Sequence, residues 1–181
     1  SNLVIRMQDI QLLPVLAESH LELSVQAAGL NFRDVLNMLD LDPTRMMRPL
    51  GLECASVASH LGSKVAHVCF GNSVFGMAFG CLASNVRSDA YLHVRMPRSL
   101  SFEEACTLPI LWCTIRLAAE CMQPIAKQRI LIHATSGGVG LVALEVARRT
   151  GTIDFGSVSR PFKVSFLHIL AVGSVASSRD A

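Results

Sequence analysis

The chain has 181 residues, which fits one medium domain or two small ones and is long enough to bury a real core. Hydrophobic residues make up 51% and charged residues 17%, which excludes a disordered chain, and a net charge of +2 is too weak a field to point to nucleic acid or an anionic membrane. The greasiest stretches, 108–122 and 164–175, fall short of the roughly 18 to 20 uncharged residues that span a bilayer and carry Arg116, Glu120 and His168.

The first residues, SNLVIRMQDIQ, lack the basic-then-apolar pattern of a secretory signal, so the chain reads as cytoplasmic, although it need not begin at a natural start. Residues 21–28 (LELSVQAA) alternate apolar and polar, the pattern of a half-buried strand, and Gly29 breaks it. Within 31–39, Phe32, Val35, Leu36 and Leu39 recur at helical spacing and predict one apolar face of a short helix. After a loop with Pro43 and Pro49, an apolar run from Gly51 to Ala58 and short segments over 60–95, punctuated by Gly62, Gly71, Gly76 and Gly80, predict an irregular β-rich barrel. Ser101 and Glu104 form a capping box, and helical periodicity continues to about Met122, interrupted at Pro109. RILIHA (129–134) has the composition of a strand buried on both faces. It runs into a glycine loop, an amphipathic helix over 141–149, a strand (TIDFGS), a helix from Pro161 to about Leu170 and a third strand over 172–176. That order is half of a doubly wound dinucleotide-binding fold. The expected architecture is therefore mixed α/β, with a domain boundary near residue 120.

The six cysteines, at 54, 69, 81, 106, 113 and 121, form no CxxC pair and sit in apolar contexts. They read as buried free thiols in a reducing compartment, without the tight spacing a metal site needs.

The loop runs Ala134, Thr135, Ser136, Gly137, Gly138, Val139, Gly140. Gly137 and Gly138 permit a sharp turn and close approach to a pyrophosphate, Gly140 permits close helix–strand packing, and the helix N-terminus offers N–H groups to an anion. A plain turn is the alternative, but the strand before, the helix after and a second strand ending about 20 residues later favour a dinucleotide. The end of that second strand falls near Ser157, which is not an acid, and Arg160 and Lys163 follow, suited to a 2′-phosphate and hence to NADP. Asp154 would become the ribose-binding acid of an NAD site on slight realignment, and a solvated loop is the other reading of Arg160 and Lys163.

GLNFRDVLNML (29–39), LGLECA (50–55), VFGMAFGCLAS (74–84), LSFEEACTLP (100–109) and LIHATSGGVGLVALEVA (131–147) together resemble the enoyl reductase domain of polyketide synthases and animal fatty-acid synthase, within the medium-chain dehydrogenase/reductase superfamily. The resemblance implies a GroES-like substrate domain over 1–120 and a Rossmann domain over 121–181. It implies NADPH-driven reduction of an α,β-unsaturated thioester on an acyl carrier protein, beside other synthase domains and in a homodimer through the parent protein. Neither a nucleic acid nor a membrane is implied as a partner. It implies no zinc: zinc-dependent relatives have Cys where Asn31 stands and Gly-His-Glu where this chain reads Gly51, Leu52, Glu53.

By the same resemblance, Asn31, Phe32 and Arg33 lie near the nicotinamide and Thr114 approaches the cofactor. Ser136, Gly137, Gly138, Val139 and Gly140 hold the pyrophosphate, and Ser157, Arg160 and Lys163 surround the 2′-phosphate. Arg33 with Asp34 could instead be a surface ion pair, and Thr114 could simply bond a helix carbonyl. Many members carry a Tyr proton donor at the position of Asp42, so Asp42 takes that catalytic place and leaves the α-carbon stereochemistry open. The chain also departs from the family at Asn72, Ser73 and Lys127, all in turns.

A full Rossmann unit has six strands in order 3-2-1-4-5-6 and three are expected here, so strand 1 is expected to show a bare edge. The family's Lys and Asp that assist proton transfer lie beyond residue 181. The chain alone is thus expected to be truncated, to expose an apolar face and to be a poor catalyst. A truncated stand-alone quinone or enal reductase and a non-catalytic remnant are the alternatives.

Overall fold

The structure, a computed structural model, describes residues 16–41 and 49–178. The chain divides into two compact units, Ser1–Ile110 and Leu111–Ala181.

In the first unit, β1 (His20–Gly29), β2 (Glu53–Leu61), β3 (Ser73–Met77), β4 (Asn85–Asp89) and β5 (His93–Arg95) form an antiparallel sheet in the order β4-β1-β2-β3-β5. Register shifts between Glu22 and Leu23 and between Val25 and Ala27 bend β1, as bulges do. Leu21 and Leu23 point inward and are fully buried with Cys54, Ala58, Val74 and Cys81. Glu22 is buried by a different route, accepting from Arg87 Nε at 2.8 Å and Nη2 at 2.6 Å across the β1–β4 pair. Two helices belong to this unit, α1 (Phe32–Met38) and α2 (Phe102–Ala105). Ser101 caps α2 as expected: its Oγ accepts from Glu104 N at 3.2 Å and Glu104 Oε2 accepts from Ser101 N at 2.9 Å.

Two expectations are corrected here. The apolar side of α1 is exposed, Phe32 at 75%, Val35 at 44% and Leu39 at 61%, and the residue that α1 buries is Asp34. Of the six cysteines, Cys54, Cys81 and Cys106 are buried but Cys69, Cys113 and Cys121 are exposed, because the last two lie on outward positions of a helix.

The second unit takes in most of α3 (Pro109–Met122), then β6 (Arg129–Ile132), α4 (Gly138–Thr150), β7 (Ile153–Val158), α5 (Pro161–Ile169) and β8 (Ser174–Ser177). The segment 102–122 has the length and hydropathy of a candidate membrane span, yet it is two helices separated by a turn and carries Glu103, Glu104, Arg116 and Glu120. The three strands are parallel, in the order β6-β7-β8. Residues opposite each other in a parallel register share a face. Ile132 and Val175 therefore face the core of Leu144, Val158, Leu167 and Val172, while Leu131 and Phe155 face the other way. β6 is not buried on both faces, as its β-branched run suggests: Leu131 is 58% exposed. Among the described residues β6 has one neighbour in the sheet, β7, and its far edge is bare.

Candidate functional site

In the first unit, two buried carboxylates tie the start of α1 to the start of β2. Asn31 caps α1, its carbonyl accepting from Asp34 N at 2.9 Å. Asp34 answers with Oδ2, which accepts from Asn31 N at 3.0 Å, and its Oδ1 accepts from Gly51 N at 2.9 Å. Asp34 is only 4% exposed, so its charge is stabilised by backbone N–H groups and is not a surface charge. Glu53, 3% exposed, accepts from Asn31 Nδ2 at 2.9 Å through Oε1 and from Ile110 N at 2.8 Å through Oε2. The approach is so close at Gly29 that a Cβ would stand 2.7 Å from Glu53 Oε1 and from the Cys106 carbonyl. Arg33 is exposed on the outer side of α1, and Asp42 lies outside the described residues.

Behind Glu53, Cys81 Sγ donates to the Glu53 carbonyl at 3.2 Å and Ser56 Oγ donates to Cys54 Sγ at 3.3 Å. The neighbouring Cys81 thiol draws Cys54 down to about 5 in spite of burial, while Cys54 and burial push Cys81 up. Burial pushes Cys106 up as well. Among the described residues, no three His, Cys, Asp or Glu side chains are grouped as a metal ion requires.

In the second unit, β6 ends in the glycine loop. The left-handed residue of its turn is Ala134, at φ 51°, and Gly137 N donates to its carbonyl at 2.8 Å. Gly137 is the N-cap of α4 in extended backbone, so a glycine is not what the turn's conformation demands there. Gly140 is the residue that must be glycine: a Cβ would sit 2.6 Å from Ala134 O, Thr135 Cα and Thr135 O. That contact presses α4 onto the end of β6. The N–H groups of Gly138, Val139 and Gly140 form the first turn of α4 and have no partner within the helix, so this end carries partial positive charge. A cavity of about 300 Å³ opens there, lined by Ile115, Ile132, His133, Gly137, Gly138 and Val139 among others.

Thr135 fastens the loop to β7. It is fully buried, its Oγ1 donates to Ile132 O at 2.6 Å and accepts from Ser157 N at 3.1 Å, and its N donates to Ser157 O at 3.1 Å. Sequence reasoning missed this clamp, although a hydroxyl residue just after a strand signals local backbone bonding. It missed His133 as well, whose Nδ1 lies 3.0 Å from Ser157 Oγ. Ser157 is 5% exposed, and its hydroxyl is the partner of that imidazole. Arg160 is exposed at the N-cap of α5 and Lys163 is half-buried one turn on, its N donating to the Arg160 carbonyl at 3.0 Å. Ser136 is half-buried in the loop, and Thr114 is exposed on α3 beside Ile115. Asp154 is the second residue of β7, paired with Ile130 and far from the strand's C-terminal end, so it does not take the place of a ribose-binding acid. Its Oδ2 is buried with no hydrogen-bond partner among the described residues.

No family model matches the chain. A highly reducing polyketide synthase from Didymella fabae is 37% identical over 169 residues, a match that takes in 92% of this chain and 9% of the synthase. The crystal structure of the CurK enoyl reductase superposes with a TM-score of 0.86 at 32% identity, over 96% of this chain and 54% of that one. The Escherichia coli quinone oxidoreductase complexed with NADPH gives a TM-score of 0.80 at 27% identity, over 95% of this chain and 54% of that one. The chain belongs to the polyketide synthase enoyl reductase family. It spans about half the length of the enoyl reductase that it matches, 54%, and a small part of the synthase, 9%. An antiparallel sheet followed by a parallel one is the enoyl reductase architecture expected from the sequence.

Proposed function

We propose that this chain forms the first half of an NADPH-dependent enoyl reductase, with 1–120 as its GroES-like substrate domain and 121–181 as the start of its NADP-binding Rossmann domain. The observation that carries the reading is the glycine loop: Gly140 seats α4 against the strand, and the first-turn N–H groups of Gly138 and Val139 face a cavity large enough for phosphate groups. The quinone reductase complex supports a nicotinamide cofactor. The absence of an acid at the end of β7, with Arg160 and Lys163 just beyond it, supports the 2′-phosphate form.

Bound NADPH supplies a hydride to the β-carbon of an α,β-unsaturated thioester, carried in the parent synthase by an acyl carrier protein. The chain's own residues bind and orient. Ser136, Gly137, Gly138, Val139 and Gly140 hold the pyrophosphate, Arg160 and Lys163 surround the 2′-phosphate just beyond Ser157 at the end of β7, and Thr114 approaches the cofactor. Asn31, fixed by Glu53, and Arg33 lie near the nicotinamide as catalytic residues, and Asp42 is the candidate to deliver a proton to the α-carbon. Other synthase domains, a homodimer of the parent and a cytoplasmic setting complete the proposal. Alone, the chain is expected to be a poor catalyst.

The test is a thermal melt of the full chain with excess NADPH, NADH or neither. NADPH at a hundredfold excess over its dissociation constant should add about 2.7 kcal/mol to stability, and NADH markedly less. Equal shifts would remove the 2′-phosphate role of Arg160 and Lys163, and no shift with either would remove the dinucleotide reading.

A further inference from the structure

We propose that His133 is a ligand-facing residue of the glycine-loop cavity, anchored through Nδ1 and presenting Nε2 to a phosphate on the 5′ side of an adenine nucleotide. The inference rests on reading the loop as a nucleotide cradle.

His133 is the first residue beyond β6 and is exposed, and it lines the same cavity as Gly137, Gly138 and Val139. Its Nδ1 lies 3.0 Å from Ser157 Oγ. That anchor is rigid, because Ser157 is buried and both its backbone N and O are bonded to Thr135. The ring is therefore held in place before any ligand arrives, and little freedom remains to be lost on binding. In the tautomer in which the Ser157 hydroxyl donates to Nδ1, the ring proton sits on Nε2, a donor suited to a phosphate oxygen. The first turn of α4 offers only backbone N–H groups to that phosphate, and His133 adds a side-chain donor from the strand side. The Ser157 hydroxyl then serves the phosphate through His133, by holding the ring.

The two ring nitrogens separate a ligand role from a structural one. His133→Asn keeps a short amide in reach of Ser157 and removes Nε2. His133→Gln carries an amide to the place of Nε2 and gives up the Ser157 bond. Binding of ADP and of adenosine to the full chain is measured by calorimetry, with the melting temperature of each variant taken alongside. His133→Asn should weaken ADP about tenfold and leave adenosine unchanged, since only ADP has the phosphates. His133→Gln should keep ADP affinity within about threefold while lowering the melting temperature. In ¹⁵N spectra of the wild-type imidazole, ADP should move the Nε2 resonance and adenosine should not.

Wild-type affinity in His133→Asn, or equal weakening of ADP and adenosine, would overturn the proposal and leave His133 as a brace for β7. Wild-type protein that ignores ADP altogether would overturn the cradle reading and this inference with it.

Discussion

In the antiparallel sheet β1, β2 and β3 are each hydrogen-bonded on both sides, and Leu21, Leu23 and Val74 are fully buried. In the parallel sheet, among the described residues, only β7 has two neighbours, and Leu131 on β6 and Ile153 on β7 remain 58% and 46% exposed. The difference follows from connectivity. Antiparallel strands pair with what the chain has just laid down or soon returns to, so a sheet can close its own core over a short stretch of sequence. Each added parallel strand needs a whole helical crossover, and both faces must then be covered. Three strands of a doubly wound sheet, with α4 and α5 packed on the Ile132 side, therefore leave the Leu131 side and the outer edges of β6 and β8 open among the described residues.

The strongest way to break this contrast is to make the same cut in both units. Leu23→Ala should cost about 4 kcal/mol, while Leu167→Ala, also fully buried but in the more open unit that can collapse around the loss, should cost about 2 to 3 kcal/mol. Amide exchange reads the first unit, and Trp112, the chain's one tryptophan, reports on the second in a denaturant titration. Equal losses would show that the parallel unit is as tightly packed as the other. Next in size, Glu53→Ala should cost about 2 to 3 kcal/mol, because Asn31 Nδ2 and Ile110 N, both part-buried, lose their acceptor. Glu53→Gln keeps one carbonyl acceptor and should lose less in the same titration.

The buried thiols sharpen the picture of the first unit through pH. In the folded chain the neighbouring Cys81 holds the Cys54 thiol well below its ordinary 9.0, down to about 5. A group depressed on folding contributes in full above its unfolded value and loses that contribution as pH falls through the folded one. Stability of the first unit should therefore rise from pH 5 toward 9, and Cys54→Ala should flatten that slope. An unchanged slope in the variant would place the ionisation elsewhere. The smallest effect on stability belongs to Leu131→Lys, within about 0.5 kcal/mol, since the side chain is exposed. It should nonetheless reduce concentration-dependent association in light scattering, because a lysine blunts a bare strand edge.

Much of this was legible in the sequence, and the failures have particular causes. Alternation placed β1, and the strand–loop–helix pattern placed β6, α4 and β7, because side-chain periodicity is set by the backbone itself. Periodicity could not say that α1 would turn Phe32 outward and bury Asp34. Asn31 and Asp34 do stand three residues apart, as Ser101 and Glu104 do, so the cap was readable. What was not readable was Gly51 N, a donor 17 residues away in sequence that makes burying the acid tolerable. β6 misled for a different reason: its composition suits a strand with cover on both faces, and composition cannot count neighbours. His133 escaped notice because its partner, Ser157, lies 24 residues on and meets it only once the two strands are parallel.

The Thr135 clamp bears on which parts of the chain can change length. Two hydrogen bonds join Thr135 to Ser157 across a separation of 22 residues, closing α4 and most of β7 into a ring. One residue more or fewer inside that ring would rotate α4 by about 100° or slip β7 by one step, turning its inward side chains out. Insertions and deletions should thus be rejected between 135 and 157 and accepted at the turn around Gly71, where a Cβ would meet nothing within 4 Å. A length-variation library of this gene should show the ring as a silent interval.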